Sequence, residues 1–359
     1  MILRGFWGGL VLCGGVLLPS MGHGKSLDFG LPDLRSLCSS LLTPYGYKNQ
    51  KALSISSSEL YLWDNWGHYD KEAKTFHRFV LAAPSSLAPE ERHFHAHIHH
   101  YTSQDGKKWQ DQGVLLEADF DRRVTTLWSG STYYDAETRE WVMYFTGTLR
   151  DSLKSQSLWE VRTKDHIHWS PPQQVADPYQ DPWLKEELER KGYHLGDQDN
   201  IISSFRDPFR KRQKLLFAAK AYNESGVLQP AIGQLEISPQ GHIQSVALPI
   251  LPSLPKWVTQ VELPSFIRHG EKEYLMFTVN NQGQVRGPSP KKLKSQLLIF
   301  ELSSEGRYEE VSGAQARRIF DESIGLFSGT PLRYSPRGQL MLLSFWLNSL
   351  ALPPILLIP

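Results

Sequence analysis

The sequence predicts an all-β protein, a five-bladed β-propeller of four-stranded antiparallel blades. Two kinds of unit alternate along the chain, at a spacing of roughly 50 residues. One kind has a polar start and two apolar strands, as in residues 130–134 and 141–145. The other is a hairpin around a polar turn, as at Asp105-Gly106. Each pair of units makes one four-stranded blade, and a series of such blades is typical of a propeller.

Five blades account for most of the chain, and the last strand is predicted at residues 355–358. Residues 181–191 have helical character, and we interpret them as an insertion between the second and third blades. Residues 26–58 are expected to pack outside the propeller or to help close it. We place the starts of the five blades near Leu60, Thr126, Ile201, Thr259 and Leu326.

The composition excludes several classes of protein. The 359 residues carry 39 basic and 38 acidic side chains, a net charge of +1, which gives no field for attracting nucleic acid or an anionic membrane. Apolar residues make up 40% of the chain, so it is not disordered and can build a sizeable core. We therefore expect no nucleic-acid partner.

Residues 1–24 are predicted to be an export signal. Arg4 supplies the positive start, residues 5–18 are apolar, and the small residues that follow suit cleavage. The apolar run is shorter than the ~20 residues that a spanning helix needs, so no stable membrane insertion is expected. The mature protein, residues 25–359, is predicted to be a single catalytic propeller domain that is secreted or periplasmic. Cys38 would then be its only cysteine.

Polar residues recur where the innermost strands of four blades begin. In a propeller these strand starts surround one central funnel, so residues that are distant in sequence converge there. Asp64, Asp207 and Glu262 occupy this place, together with Arg206 and several tryptophans. Glycoside chemistry needs two carboxyl groups that flank the scissile bond, one ionised and one protonated, and a third can hold sugar hydroxyls. The pattern therefore predicts a site for chemistry on a sugar.

These blocks resemble the ordered motifs of the levansucrase and inulosucrase family, glycoside hydrolase family 68. The resemblance extends from about Leu60 to the end of the chain. The blocks that carry it are Trp63-Asp64-Asn65-Trp66, Leu127-Trp128-Ser129-Gly130-Ser131, Phe205-Arg206-Asp207-Pro208 and Gln260-Val261-Glu262-Leu263-Pro264.

The resemblance implies a retaining fructosyl enzyme that acts on sucrose or fructan, as a fructosyltransferase, a sucrose hydrolase or both, without cofactor or metal. Asp64 resembles the fructosyl nucleophile, Asp207 the transition-state stabiliser and Glu262 the general acid/base. Asp64 and Glu262 should then lie within roughly 5–6 Å. The residues that resemble the lining of the sugar subsites are Trp63, Trp128, Ser129, Arg206 and Gln260.

Two positions depart from the family pattern. Leu263 stands where the family usually has arginine directly after its acid/base, and Gly67 stands where it commonly has proline. Without that cation, and with two carboxylates nearby, Glu262 rather than Asp64 is expected to carry the raised pKa.

Other functions remain open from the sequence. The chain could be another five-bladed glycosidase, invertase-like or arabinan-cleaving, or a propeller that binds glycan without turnover, because a fold does not determine a function. The run from His93 to His100 places alternate histidines on one face if it forms a strand. No carboxylate or cysteine lies within it, and we interpret it as a solvated strand face rather than a metal site.

Overall fold

The structure is a computed structural model that describes residues 55–149, 155–195, 204–281, 295–302, 317–321, 326–334, 340–346, 351–352 and 356–358. All of them belong to one compact unit, Asp33–Pro359. The predicted export signal, Cys38 and the predicted start of the third blade at Ile201 lie outside the described residues. Among those described, no helix is both long and apolar enough to cross a membrane.

Four sheets each contain four antiparallel strands joined in chain order. Blade 1 consists of β2 (Leu60–Asp70), β3 (Thr75–Pro84), β4 (His97–Ser103) and β5 (Gln110–Leu116). Blade 2 consists of β6 (Val124–Asp135), β7 (Glu140–Leu149), β8 (Gln156–Thr163) and β9 (Gln173–Ala176). Blade 3 consists of β10 (Phe205–Lys211), β11 (Lys214–Tyr222), β12 (Leu228–Ile237) and β13 (Ile243–Val246). Blade 4 consists of β14 (Gln260–His269), β15 (Lys272–Asn280), β16 (Ser295–Leu302) and β17 (Arg317–Asp321).

A fifth sheet completes the ring. Its described strands are β18 (Leu326–Tyr334), β19 (Leu340–Trp346) and β21 (Leu356–Ile358). A short strand at the start of the described chain, β1 (Ile55–Ser56), pairs with β20 (Ala351–Leu352) near its end. The first strand of each sheet contacts the first strand of the next, and β18 contacts β2. The predicted all-β propeller of four-stranded antiparallel blades is confirmed, with four complete blades and a fifth sheet of three described strands.

The core lies between successive blades. The second strand of each blade is covered on both faces, which explains why its sequence is apolar almost without interruption, as in β3 and β7. One cluster joins blades 1 and 2, another joins blades 2 and 3, and a third joins blades 3 and 4. Each blade therefore buries its apolar faces against the two adjacent blades. A closed ring of blades is needed to cover all of these faces.

The predicted helical insertion is a helix, α1 (Pro182–Arg190). Asp181 caps it by accepting a hydrogen bond at 3.1 Å from the backbone N–H of Leu184, and Pro182 occupies its first turn, where no N–H is needed. Leu184 and Leu188 lie four residues apart, on one face, and are fully buried in the cluster between blades 2 and 3.

The innermost strands share one irregularity. Each has a β-bulge near its start, where the pairing with the second strand gains an extra residue. The bulged residues are Asp64, Ser129, the pair Asp207-Pro208, the pair Leu263-Pro264 and the pair Ser328-Gly329.

Candidate active site

The bulges aim the predicted catalytic side chains. Asp207 and Leu263 have positive φ angles of 58° and 53°, a conformation that ordinary residues adopt only when the surroundings hold them there. In blade 2 the residue after the bulge is Gly130, and a Cβ at that position would overlap the carbonyl oxygen of Tyr144. The Ser-Gly pair of this block thus has a structural reason, because only glycine allows the second strand to approach the bulge so closely.

Glu262 does not share the position of the other two carboxylates. Asp64 and Asp207 lie within their bulges, whereas Glu262 immediately precedes its own, at the position that Trp63, Trp128 and Arg206 occupy in the other blades. From the sequence pattern alone the three acids look equivalent in the repeat. Leu263 is the residue of blade 4 whose place in the bulge matches that of Asp64 and Asp207. The replacement of the family's arginine by leucine is therefore at the bulge position that carries an acid in blades 1 and 3.

Asp64 is held by a residue of the neighbouring blade. The hydroxyl of Ser129 donates a hydrogen bond to Oδ2 of Asp64 at 2.9 Å. The backbone carbonyl of Ser129 in turn accepts a hydrogen bond from Thr146 Oγ1 at 3.1 Å. Asp64 keeps part of its surface open to solvent, while Ser129 is fully buried. The bond therefore fixes the carboxylate of a side chain that is only partly buried.

Arg206 links the other two acids. Its Nη2 donates to Oε1 of Glu262 at 3.1 Å and to Oε1 of Gln260 at 3.3 Å, and its Nε lies 3.6 Å from Oδ2 of Asp207. Gln260 also accepts a hydrogen bond from Ser204 at 3.0 Å. Nε2 of Gln260 is buried and has no partner in the described part of the chain, which leaves a donor available for a sugar hydroxyl.

Asp207 is fixed from both sides through its backbone and its carboxylate. Its N–H donates to Oγ1 of Thr146 at 2.9 Å, and its Oδ2 accepts the backbone N–H of Leu263 at 3.1 Å. Blades 2, 3 and 4 thus meet at this one residue, through its backbone and its side chain. Such restraint is what a group needs if it is to hold sugar hydroxyls in a fixed geometry.

The electrostatics differ from the sequence-based expectation. Burial, followed by the charges of Glu262 and Asp207, raises the pKa of Asp64 to about 8. Burial also raises the pKa of Asp207 to about 7, although Arg206 opposes this rise. The prediction that Asp64 would not carry a raised pKa is therefore wrong. The physical reason is the burial of Asp64, to which the charges of Glu262 and Asp207 add.

A short 3-10 helix, Glu91–Phe94, brings two residues to the site that the sequence analysis did not assign to it. The guanidinium of Arg92 lies 5.4 Å from the centre of the Trp63 ring, and its charge lowers the pKa of Asp64. The carbonyl of His93 accepts a hydrogen bond at 2.9 Å from Nε1 of Trp128. Nothing in the sequence marks these residues, because they belong to a connection between strands and not to a strand start.

The histidine run is not one solvated strand face, as the sequence had suggested. Its first part is the 3-10 helix, and β4 begins only at His97. His99 is buried and lies 2.6 Å from Oδ1 of Asp111, and His100 is buried between blades. The neighbouring blade covers this part of β4. The alternation of histidines along the strand therefore did not predict which side chains are exposed to solvent.

Comparison with known proteins gives a partial match to one family. The levansucrase/invertase family model matches residues 47–214, a little under half of the chain. Over 121 residues the chain is 32% identical to an extracellular sucrase of Zymomonas mobilis subsp. mobilis, an alignment that covers 32% of this chain and 29% of the sucrase. The match thus spans less than a third of that relative's length.

Solved structures share the propeller. A levansucrase complexed with sucrose has a TM-score of 0.59 at 13% identity, over 89% of this chain and 91% of the other. An inulosucrase from Halalkalicoccus jeotgali bound to kestose has a TM-score of 0.52 at 18% identity, over 81% and 77% of the two chains. At these identities the likeness shows the fold. The family match makes residues 47–214 similar to levansucrases and invertases, glycoside hydrolase family 68.

Proposed function

We propose that this protein is a retaining fructosyl enzyme that acts on sucrose through a covalent fructosyl-enzyme intermediate. The observation that carries the proposal is a group of three carboxylates: Arg206 contacts Asp207 and Glu262, and Ser129 fixes Asp64, which feels the charges of both. A retaining mechanism needs a nucleophile and an acid/base roughly 5–6 Å apart, and we expect that separation between Asp64 and Glu262.

The residues divide the reaction between them. Asp64 attacks the anomeric carbon of the fructosyl unit while Glu262 protonates the departing glycosidic oxygen, and Glu262 then deprotonates the acceptor that releases the fructosyl group. Asp207 holds ring hydroxyls more tightly as the ring becomes oxocarbenium-like. Water as acceptor gives hydrolysis, whereas a sugar acceptor gives a fructan or an oligosaccharide.

The raised pKa values have a role in this scheme. Burial and the charges of Glu262 and Asp207 raise the pKa of Asp64 to about 8, which favours a proton on this residue in the free site at neutral pH. That proton has to reside on Glu262 when the bond to the leaving group breaks. The proposed reaction therefore requires a proton to move from Asp64 to Glu262 when sucrose binds.

The substrate class follows from the family and the site together. Trp63 and Trp128 directly precede Asp64 and Ser129 in their strands, and the buried, unpaired donor of Gln260 suits a hydroxyl-rich ligand. Sucrose or a fructan is the expected partner, and the expected location is secreted or periplasmic, in line with the extracellular sucrase relative. The invertase-like, arabinan-cleaving and purely binding alternatives gain no support from a specific contact in the site.

An assay on sucrose tests the proposal. Free glucose, free fructose and polymer are measured after incubation, where an excess of glucose over fructose indicates transfer and equal amounts indicate hydrolysis. We expect Glu262→Gln to lower turnover by roughly 10²–10⁴-fold and Asp64→Asn and Asp207→Asn to be at least as severe, with the fold retained by circular dichroism. Asp105→Asn, in an exposed turn, is the control. Wild-type protein that is folded and releases neither sugar would contradict the proposal.

A further inference from the structure

Four buried histidines form a cluster between blades 1 and 2. His68 lies on β2, His77 on β3 and His100 on β4, while His166 follows β8 of blade 2. His68 and His77 are directly opposite each other in the antiparallel register, and each of the four side chains is 9% exposed or less. His68 is four residues beyond Asp64 on β2, about 13 Å of extended chain, so the cluster is separate from the carboxylate group.

In three of the four imidazoles, one ring nitrogen lies close to a ring nitrogen of each of the other two. One nitrogen of His68, one of His77 and one of His166 all lie within 4.8 Å of one another. Nε2 of His68 and Nε2 of His166 are 2.9 Å apart. Nε2 of His77 is buried without a hydrogen-bond partner among the described residues. A buried polar atom is rarely left unpaired in a folded protein, so this nitrogen points to a ligand.

The opposite nitrogens of the same rings have partners that would fix their orientation. Nδ1 of His68 lies 3.0 Å from Oγ1 of Thr132, and Nδ1 of His77 lies 3.1 Å from Nε2 of His100. Nδ1 of His166 faces Oδ2 of Asp70 at 3.9 Å. Histidines that bind metals commonly have this arrangement, in which the distal nitrogen meets a carboxylate, a hydroxyl or another polar group. Asp70 also supplies a negative charge near any bound cation.

We propose that His68, His77 and His166 bind one divalent transition-metal ion of the zinc class, which joins blade 1 to blade 2. Imidazole nitrogens are suitable ligands for zinc, copper and nickel, and zinc is often held by three protein ligands with water in the fourth position. The rings of His77 and His166 are stacked, with centroids 3.8 Å apart and planes 18° apart. Binding therefore requires one of these two rings to turn about its Cβ–Cγ bond.

The experiment uses the mature protein without an affinity tag, stripped with a chelator and then titrated with Zn²⁺ and, separately, with Co²⁺. We expect one zinc ion per chain by calorimetry and by elemental analysis, visible absorption bands from bound cobalt, and a higher Tm with zinc, because the ion binds the folded state. His77→Gln and His166→Gln should each weaken zinc binding by roughly 10-fold or more.

His168→Gln is the matched control. His168 lies two residues from His166 in the same turn, but its side chain is 85% exposed and pairs with Asp165. The variant His168→Gln should therefore bind zinc with the same affinity as the wild-type protein. The proposal is overturned if folded wild-type protein binds no zinc in stoichiometric amount, or if His166→Gln binds as tightly as the control. The wild-type stoichiometry and the cobalt spectrum decide the matter even if a variant fails to fold, and neither depends on sucrose turnover.

Discussion

Asp64 has to be ionised to act as a nucleophile, yet its surroundings oppose ionisation. Burial contributes most to its raised pKa, and Glu262 and Asp207 add to it, while Ser129 and Arg92 act in the opposite direction. In the proposed reaction the ionisation of Asp64 therefore depends on two groups that the repeat pattern alone does not reveal. Ser129 was predicted from the family motif, but Arg92 comes from a connecting segment that sequence periodicity does not describe.

Replacing Arg92 tests its electrostatic role. In Arg92→Met the cation near Asp64 is lost, so the pKa of Asp64 should rise further and the acid limb of the kcat/KM profile should move to higher pH by about one unit. Arg92→Lys retains the charge and should keep the limb within a few tenths of a unit of wild type. The measurement is the pH dependence of sucrose turnover. An unmoved limb in Arg92→Met would show that Arg92 does not act on Asp64.

Position 263, a leucine here, is the second place where a charge would act on the acids. Its side chain is buried, its backbone N–H bonds to Asp207, and its position matches Asp64 and Asp207 in the other blades. In Leu263→Arg the new cation should favour the ionised forms of the neighbouring acids. The alkaline limb of the pH–rate profile should therefore move to lower pH, with sucrose turnover held or improved.

Leu263→Met is the control for that substitution, since it changes the shape of the side chain without adding charge. Its pH profile should overlay that of the wild type. If Leu263→Arg is folded and leaves the profile unmoved, position 263 does not act on the acid/base, and the match of this block to the family motif is incorrect.

The bulges show what the sequence could and could not predict about elements. Strand starts near Leu60, Thr126, Thr259 and Leu326 were predictable, because apolar runs between polar turns mark them. The bulges were not, since a bulge changes the register by one residue without changing composition. The three acids consequently looked equivalent, although Glu262 lies one position before its bulge. The histidine cluster was hidden for a similar reason, because its members come from four separate segments.

Helix α1 offers a test of an element that lies outside the repeat. Asp181→Ala removes the side-chain acceptor for Leu184 N–H and should lower the free energy of unfolding by about 1 kcal/mol, measured by urea denaturation. Asp181→Asn retains a good capping group and should stay within a few tenths of a kcal/mol of wild type. Sucrose turnover should be unchanged in both. Equal loss in the two variants would mean that the charge, and not the cap, matters.

At the scale of the whole molecule, the ring is closed by side chains as well as by strands. Arg78, fully buried in blade 1, donates to Oδ1 of Asn65 at 2.9 Å and to the carbonyl of Ser344 in the fifth sheet at 2.8 Å. Asn65 donates to the same carbonyl at 3.0 Å. Asn65 directly follows the bulge at Asp64, so the join between the first and last blades also supports the catalytic group.

At Asp64 the proposed reaction and the stability of the fold have opposite requirements, because the reaction needs the ionised carboxylate and burial disfavours it. The pKa of Asp64 is about 8 in the folded protein, against 3.8 for an ordinary aspartate. Between those two values the folded state holds a proton that the unfolded chain releases, so this residue's contribution to stability is lost as the pH rises towards 8. Asn at the same position has no charge and avoids that loss. Asp64→Asn should therefore be inactive but more stable than wild type, by a margin that grows between pH 5 and pH 8.

The Tm of both proteins at pH 5 and pH 8 measures this margin. Asp105→Asn is the control of opposite sign: backbone N–H groups of Lys108 and Lys107 lower the pKa of Asp105 in its exposed turn, so the ionised form is the one that folding favours. That variant should gain no stability as the pH rises. If Asp64→Asn exceeds wild type by the same amount at both pH values, packing explains the gain, and the folded protein does not hold the extra proton on Asp64.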